Sequence, residues 1–394
     1  MYNLFNKLFP TMKKALLFSA AFAALGLLSC NREVSPSVGA EGKPVEVTVS
    51  ITGAPSSRAT DTKYADESKV DSLQIFVFNG DDREAYRNVK NTMSALIPAT
   101  SGERTVWAVV NAPDLSEVMS LNALKAAVTN LVDNAKDSFV MTGAVTQELV
   151  DGGNVAITVK RIVARVSVSR ISTSLKDYRE KWSVRIGKIY LINAAADNKY
   201  DVGGEPGAWL NKLSWDAEAG QKADALLYDV LGADGAGVII KNNVYQKDGE
   251  PVDEDHAYDE QTHRLASGVS IVQDNGYTKE HAFYPYPNPY PVENTTPDYG
   301  DTWTPRGTIL VIEATMLDED GNEIVIQGTD NQTQGYYPIP MPALERNKTY
   351  VIDEVRITRL PGDKPYKPIE TGESRVTITV NEWELGLNLG TITI

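Results

Sequence analysis

Apolar and polar residues alternate with a period of two along much of this chain, and that alternation limits what it can fold into. Val45-Glu46-Val47-Thr48-Val49-Ser50-Ile51-Thr52 shows the pattern without a break. A period of two sends successive side chains to opposite faces, as in a half-buried strand. The residues that follow, Gly53-Ala54-Pro55-Ser56-Ser57-Arg58, are turn formers ending in one basic side chain and read as an exposed linker. At the other end, alternation runs through residues 374–384 and on to Ile394. Most chain ends fray and turn polar. An end that stays strand-like predicts a strand to pair with.

Between these ends the strand signals are dense. Residues 72–78 end at Asn79-Gly80, a dipeptide suited to a tight hairpin turn. Residues 104–111 are apolar enough for a strand buried on both faces. Ser120 caps a predicted helix with Leu121, Leu124, Val128 and Leu131 on one face. Strands over 138–143, 154–159 and 160–171 complete a first set. Residues 182–193 open a second set. Residues 307–316 turn at 318–322 and return through 323–327 as a predicted hairpin. Residues 351–358 and the C-terminal strands close it. So many strands with one or two helices predict a mainly β chain of two β-sandwich domains in tandem, 59–178 and 179–394.

Residues 1–30 read as a targeting segment. Met12-Lys13-Lys14 is basic, and residues 15–28 form an apolar run too short for a spanning helix of about 20 residues. Leu27-Leu28-Ser29-Cys30 resembles a bacterial lipobox. Cleavage between Ser29 and Cys30, with a diacylglyceryl group on the sulfur, is expected. Each buried lipid methylene contributes about 0.8 kcal/mol to such an anchor. Residues 31–43 form a polar tether, so 31–58 comprises tether, strand and linker.

Cys30 is the sole cysteine, so an intramolecular disulfide, a thiolate metal cluster and a cysteine nucleophile are excluded. The net charge of −15 opposes nucleic-acid binding. Asp253, Glu254, Asp255, His256, Asp259 and His263 form an acidic, His-containing cluster, but seven residues separate the histidines, which does not suit a zinc helix. Asp318-Glu319-Asp320-Gly321-Asn322-Glu323 resembles the start of a calcium loop, yet Glu323 stands where the loop requires glycine. No phosphate-binding glycine loop or Gly-x-Ser-x-Gly elbow is present. No catalytic residues, metal site or cofactor are expected. The run Phe283-Tyr284-Pro285-Tyr286-Pro287-Asn288-Pro289-Tyr290-Pro291 excludes a central strand. It suits a rigid loop packed on a sheet, or else a tyrosine platform for a ligand.

Several segments, in order, resemble one family. They are the lipobox at Cys30, Ser57-Arg58-Ala59, and Glu67-Ser68-Lys69-Val70-Asp71-Ser72-Leu73 leading to Phe76-Val77-Phe78-Asn79-Gly80. Gly102-Glu103-Arg104-Thr105, Met141-Thr142 and Lys160-Arg161-Ile162-Val163-Ala164-Arg165 follow. Glu345-Arg346-Asn347-Lys348-Thr349-Tyr350 and Val380-Asn381-Glu382-Trp383 complete the series. Together they resemble the FimA/Mfa-type fimbrillins, pilin precursors of Bacteroidales-type bacteria. The resemblance implies transthyretin-like sandwiches and export as an outer-membrane lipoprotein. It implies cleavage between Arg58 and Ala59 by an arginine-specific or trypsin-like protease. It also implies a surface fimbrium, supporting adhesion and biofilm formation, built by donor-strand exchange with other fimbrial subunits. The displaced residues would be Val45, Val47, Val49 and Ile51. The donors would come from Val376, Ile378 and Val380, or from Leu385, Leu387, Leu389, Ile392 and Ile394. The alternative is a tip or accessory fimbrillin, or a monomeric surface lipoprotein that binds glycan or protein through the Tyr/Pro loops.

Elementary energetics agree with exchange. Four aliphatic side chains would each contribute roughly 1.5–3 kcal/mol on burial. Their loss would leave an apolar groove with unpaired edges, a template for another strand. Cleavage makes the exchange directional because the freed peptide diffuses away. A head-to-tail contact of this kind gives a filament rather than a closed ring.

Overall fold

The computed structural model describes residues 42–52, 67–134, 138–201, 203–210, 228–232, 235–241, 271–273, 277–291, 307–366, 379–382 and 391–393. Cys30, Arg58, Ala59 and the acidic 253–263 cluster lie outside these residues.

The first part contains β1 (Pro44–Thr52), β2 (Ser72–Asn79), β3 (Asp82–Lys90), β4 (Ser94–Thr100) and β5 (Gly102–Val110). A short helix α1 (Leu121–Ala126) and β6 (Val128–Asn130) follow, then β7 (Met141–Leu149), β8 (Asn154–Thr158) and β9 (Lys160–Arg161). A three-stranded sheet in the order β4-β1-β8 faces a five-stranded sheet in the order β3-β2-β5-β7-β9. The core between them holds Val47, Val49, Leu73, Ile75, Ile97, Val106, Ala108, Val155 and Ile157. Gly80, at φ 60°, makes the β2–β3 turn that Asn79-Gly80 predicted.

The five-stranded sheet is covered on both faces, which is why β5 reads as a near-continuous apolar run. Val106, Ala108 and Val110 face the first core. Trp107 and Val109 face a second core, beside Phe76, Phe78 and Leu124 of α1. Ser120 caps α1 by accepting from the Ala123 N–H. The helix stops at Ala126, earlier than its periodicity suggests, because Ala127 is extended. Val128 therefore lies exposed on β6, and Leu131 is buried from a following 3-10 turn.

The second part contains β10 (Arg165–Thr173), β11 (Ser183–Ile192), β12 (Ala194–Ala195), β13 (Asp197–Lys199) and β14 (Trp209–Leu210). Then come β15 (Tyr228–Val230), β16 (Val238–Lys241), β17 (Ile271–Gln273) and β18 (Tyr277–Phe283). Last are β19 (Ile309–Leu317), β20 (Gln334–Pro340), β21 (Lys348–Ile352), β22 (Glu354–Ile357), β23 (Thr379–Glu382) and β24 (Thr391–Thr393). One six-stranded sheet runs β23-β21-β10-β22-β24, with β18 also on β10. A second runs β17-β16-β11-β19-β20, with β15 also on β11. Val166, Val168, Val184, Ile189, Leu310, Ile312, Tyr350 and Val355 pack in the second core. The chain is thus mainly β, with sandwiched sheets and little helix.

Two strand expectations need correction. Residues 160–171 do not form one strand of the first set. β9 pairs with β7, whereas β10 pairs with β18, β21 and β22. Buried residues on both faces of β10 explain its imperfect alternation. The predicted return strand 323–327 also does not form. The Asp318 carboxylate accepts from the Asp320 and Asn322 N–H groups and closes a tight turn. One bridge, Leu317 to Glu323, follows, and β19 pairs instead with β20. Hydrogen bonds from the Asn322 side chain and N–H hold the Asp318 pKa below its usual value.

The Tyr/Pro run is a packed tie. Tyr286 is fully buried, and its hydroxyl lies 3.0 Å from Thr129 Oγ1 and 2.8 Å from Asn134 Nδ2, which donates to it. Asn288 is also fully buried, and its Nδ2 donates to Thr308 Oγ1 at 2.8 Å. These inward-facing groups support the packed-loop reading. We expect Tyr286→Phe to cost about 1–3 kcal/mol in urea unfolding, because it strands buried polar partners. A change within error would mean that the hydroxyl is not part of the tie.

Candidate functional site

β1 is the central strand of its sheet, antiparallel to β4 and parallel to β8. Val45, Val47, Val49 and Ile51 point into the core and are 7, 0, 0 and 3% exposed. Glu46 is exposed, and Thr48 and Ser50 are half-buried on the outer face. The period-two reading thus places each of these side chains on its observed face.

Both ends of β1 are fastened. Gly42 has φ 123°, and a Cβ there would lie 2.1 Å from the Ser101 carbonyl oxygen. That close approach lets Lys43 N donate to Ser101 Oγ at 2.9 Å while Ser101 N donates to the Lys43 carbonyl at 2.8 Å. The β7–β8 turn clasps the strand, with Gly152 N donating to the Glu46 carbonyl and Thr48 N to that of Gly153. At the far end Ile51 N donates to the Met93 carbonyl, and Val159 N to that of Thr52. Removing β1 would therefore strip four aliphatic side chains from one core and unpair the facing edges of β4 and β8.

Four of the segments that carry the family resemblance come together elsewhere, at one buried polar joint. Arg161 is 1% exposed, and its Nε and Nη2 donate to the Glu67 carbonyl at 2.9 and 2.7 Å. Tyr284 donates to the Glu67 carboxylate at 2.6 Å. Arg346 donates to the carbonyls of Arg161, Lys160 and Thr142 and to Thr142 Oγ1. Asn347, at φ 56°, accepts the Arg161 N–H and donates its own N–H to the Val163 carbonyl. Burial pulls the Arg346 guanidinium down to about 10, still charged at neutral pH. The joint fastens the start of the first sandwich, at Glu67, to the second. Its motif residues are structural ties, a role their spacing in sequence does not disclose.

Of the donor candidates, Val380 lies on β23, paired to Tyr350 of β21. Ile392 lies on β24, paired in parallel to Val355 of β22. Val376, Ile378, Leu385, Leu387, Leu389 and Ile394 lie outside the described residues. Among the described residues there is no cluster of three or more His, Cys, Asp or Glu side chains able to hold a metal. No described helix is long and apolar enough to cross a membrane.

Residues 44–175 match the family described as major fimbrial subunit protein (FimA). The chain is 23% identical over 428 residues to the major fimbrium subunit FimA type-2 of Porphyromonas gingivalis, covering 95% of this chain and 98% of the relative. It is 26% identical over 205 residues to the type-3 subunit of that organism, covering 46% of this chain and 52% of the relative. A crystal structure of a P. gingivalis FimA fimbrilin superposes with a TM-score of 0.54 at 18% identity, covering 89% of this chain and 97% of that one. A Bacteroides eggerthii protein named for cell adhesion superposes with a TM-score of 0.51 at 16% identity, covering 91% of this chain and 100% of that one. Fimbrial subunits are structural proteins of the cell surface rather than enzymes. The family match over the first sandwich, the similarity along nearly the whole chain and the shared fold make this protein similar to the FimA-type fimbrial subunits.

Proposed function

We propose that this protein is a fimbrillin and a stalk subunit, which polymerises head to tail by protease-triggered donor-strand exchange. It is carried to the outer membrane on a lipid at Cys30 and released for assembly by cleavage between Arg58 and Ala59. The observation that supports this reading is the position of β1. A strand at the N-terminal end of the described residues fills the centre of a sheet and a large share of one core, and a single basic residue follows it.

The incoming strand must supply four apolar side chains at alternate positions, and to rebuild both ladders it must run in the direction of β1. Trp383, Leu385, Leu387 and Leu389 repeat the spacing of Val45, Val47, Val49 and Ile51, and Glu384 falls where Glu46 stands. Val376, Ile378 and Val380 are followed by Glu382, where a fourth apolar residue is needed. Residues 379–382 and 391–393 are also laddered to β21 and β22. These facts favour 383–389 as the donor.

The experiment is trypsin treatment of the precursor lacking residues 1–30, followed by gel electrophoresis without boiling. A ladder is expected from the native chain and its absence from Arg58→Ala. Deleting 385–394 should leave a folded subunit that cannot donate. Ladder formation in Arg58→Ala would sink the cleavage step, and polymer from the deletion would move the donor to 376–384. The tip or accessory reading gains if the native chain, once cleaved, caps polymers without extending them. Adhesion and biofilm support would follow from a fimbrium and rest on the same test.

A further inference from the structure

β4 has a weakness that the exchange reading exposes. Among the described residues it is laddered to β1 alone. Once β1 leaves, no neighbouring strand holds that wall of the groove. A wall that collapses would have to be rebuilt by each incoming strand, and binding that requires such a change is slow.

Side chains from the facing sheet reach across the sandwich to β4 without using β1. The register of β2 on β3 shifts so that Val77 pairs with Ala85 and Phe78 with Arg83, leaving Glu84 at a bulge. A bulge re-aims its side chain, and Glu84 is turned inward, 1% exposed. One carboxylate oxygen accepts the backbone N–H of Thr100, the last residue of β4. The other accepts Arg104 Nε at 2.6 Å. Arg104 Nη2 donates to Thr100 Oγ1 at 2.6 Å, closing a buried triangle between β3, β5 and the end of β4. Midway along β4, half-buried Arg87 of β3 donates from Nη1 to the Leu96 carbonyl at 2.7 Å.

We propose that Glu84, Arg104 and Arg87 are positioning residues that hold β4 in place after β1 departs, so that the groove stays preformed for the donor. The proposal rests on the exchange reading. Preorganisation of this kind speeds and strengthens association by sparing the ordering cost at the moment of binding.

The test uses protein cleaved at Arg58, freed of its strand in mild denaturant and returned to buffer. A fluorescent peptide of residues 43–53 is added, and its uptake is followed by polarisation. Arg87→Ala and Thr100→Val are expected to take up the peptide on the order of tenfold more slowly than the native protein. Arg87→Lys, which keeps a donor, should recover most of the rate. The melting temperature of uncut Arg87→Ala should stay near that of the native precursor, because β1 still holds β4 there. A merely structural role would instead lower the melting temperature and leave the uptake rate alone. Equal uptake rates in all variants would overturn the positioning role. Failure of the native cleaved protein to bind the peptide would overturn the exchange reading itself.

Discussion

Val49→Asp is expected to destabilise the uncut precursor by more than about 4 kcal/mol, read as a large fall in the urea midpoint of the first sandwich. Val49 is fully buried on the central strand of its sheet, between Ala95 of β4 and Val155 of β8. The substitution removes roughly 1.5–3 kcal/mol of aliphatic burial. It also places a carboxylate among Val47, Ile75, Val106 and Ile157, and a buried polar group without a partner costs several kcal/mol more. Ser50→Asp, one residue along on the outer face, should change stability by only about 0.5 kcal/mol. Equal costs at the two positions would show that β1 does not sit in this register. The contrast isolates the property that would make β1 replaceable: its contribution lies in every second side chain, and another strand with that pattern could supply it.

The second large effect concerns the triangle at the end of β4. Glu84→Leu alone should cost about 3–5 kcal/mol, because it leaves the Arg104 guanidinium buried without its carboxylate. Arg104→Met alone should cost a similar amount for the converse reason. Both side chains are at most 5% exposed, so solvent cannot take the missing partner's place. The double variant should recover much of the loss, since a well-packed apolar pair often matches a buried ion pair. Urea unfolding of the four proteins gives a double-mutant cycle. Strictly additive costs would mean that the two groups are not coupled in the folded state. Strong coupling with little net gain would mark the pair as a positioning device, since an apolar pair would fold as well.

The sequence alone determined a good deal here. It determined the mainly β character, because a period of two is a local property that any half-buried strand must show. It determined which side chains of β1 point inward and where the β2–β3 turn falls, since both depend on neighbouring residues only. The resemblance segments were legible as motifs, and their order along the chain was enough to suggest a family. Their purpose was not legible. Arg161, Arg346, Asn347 and Glu67 meet from segments up to some 280 residues apart in sequence, and no local pattern encodes that meeting. Where residues 165–173 belong was likewise decided by long-range pairing: a strand buried on both faces carries no alternation to say which sheet will take it. The return from the Asp318 turn followed the same logic, with β20 displacing a nearer segment of equal promise. At β1, the sequence supplied a strand with one apolar face. Only the tertiary structure decided that it lies at the centre of its sheet, fastened at both ends, with a wall beside it that other side chains hold in place.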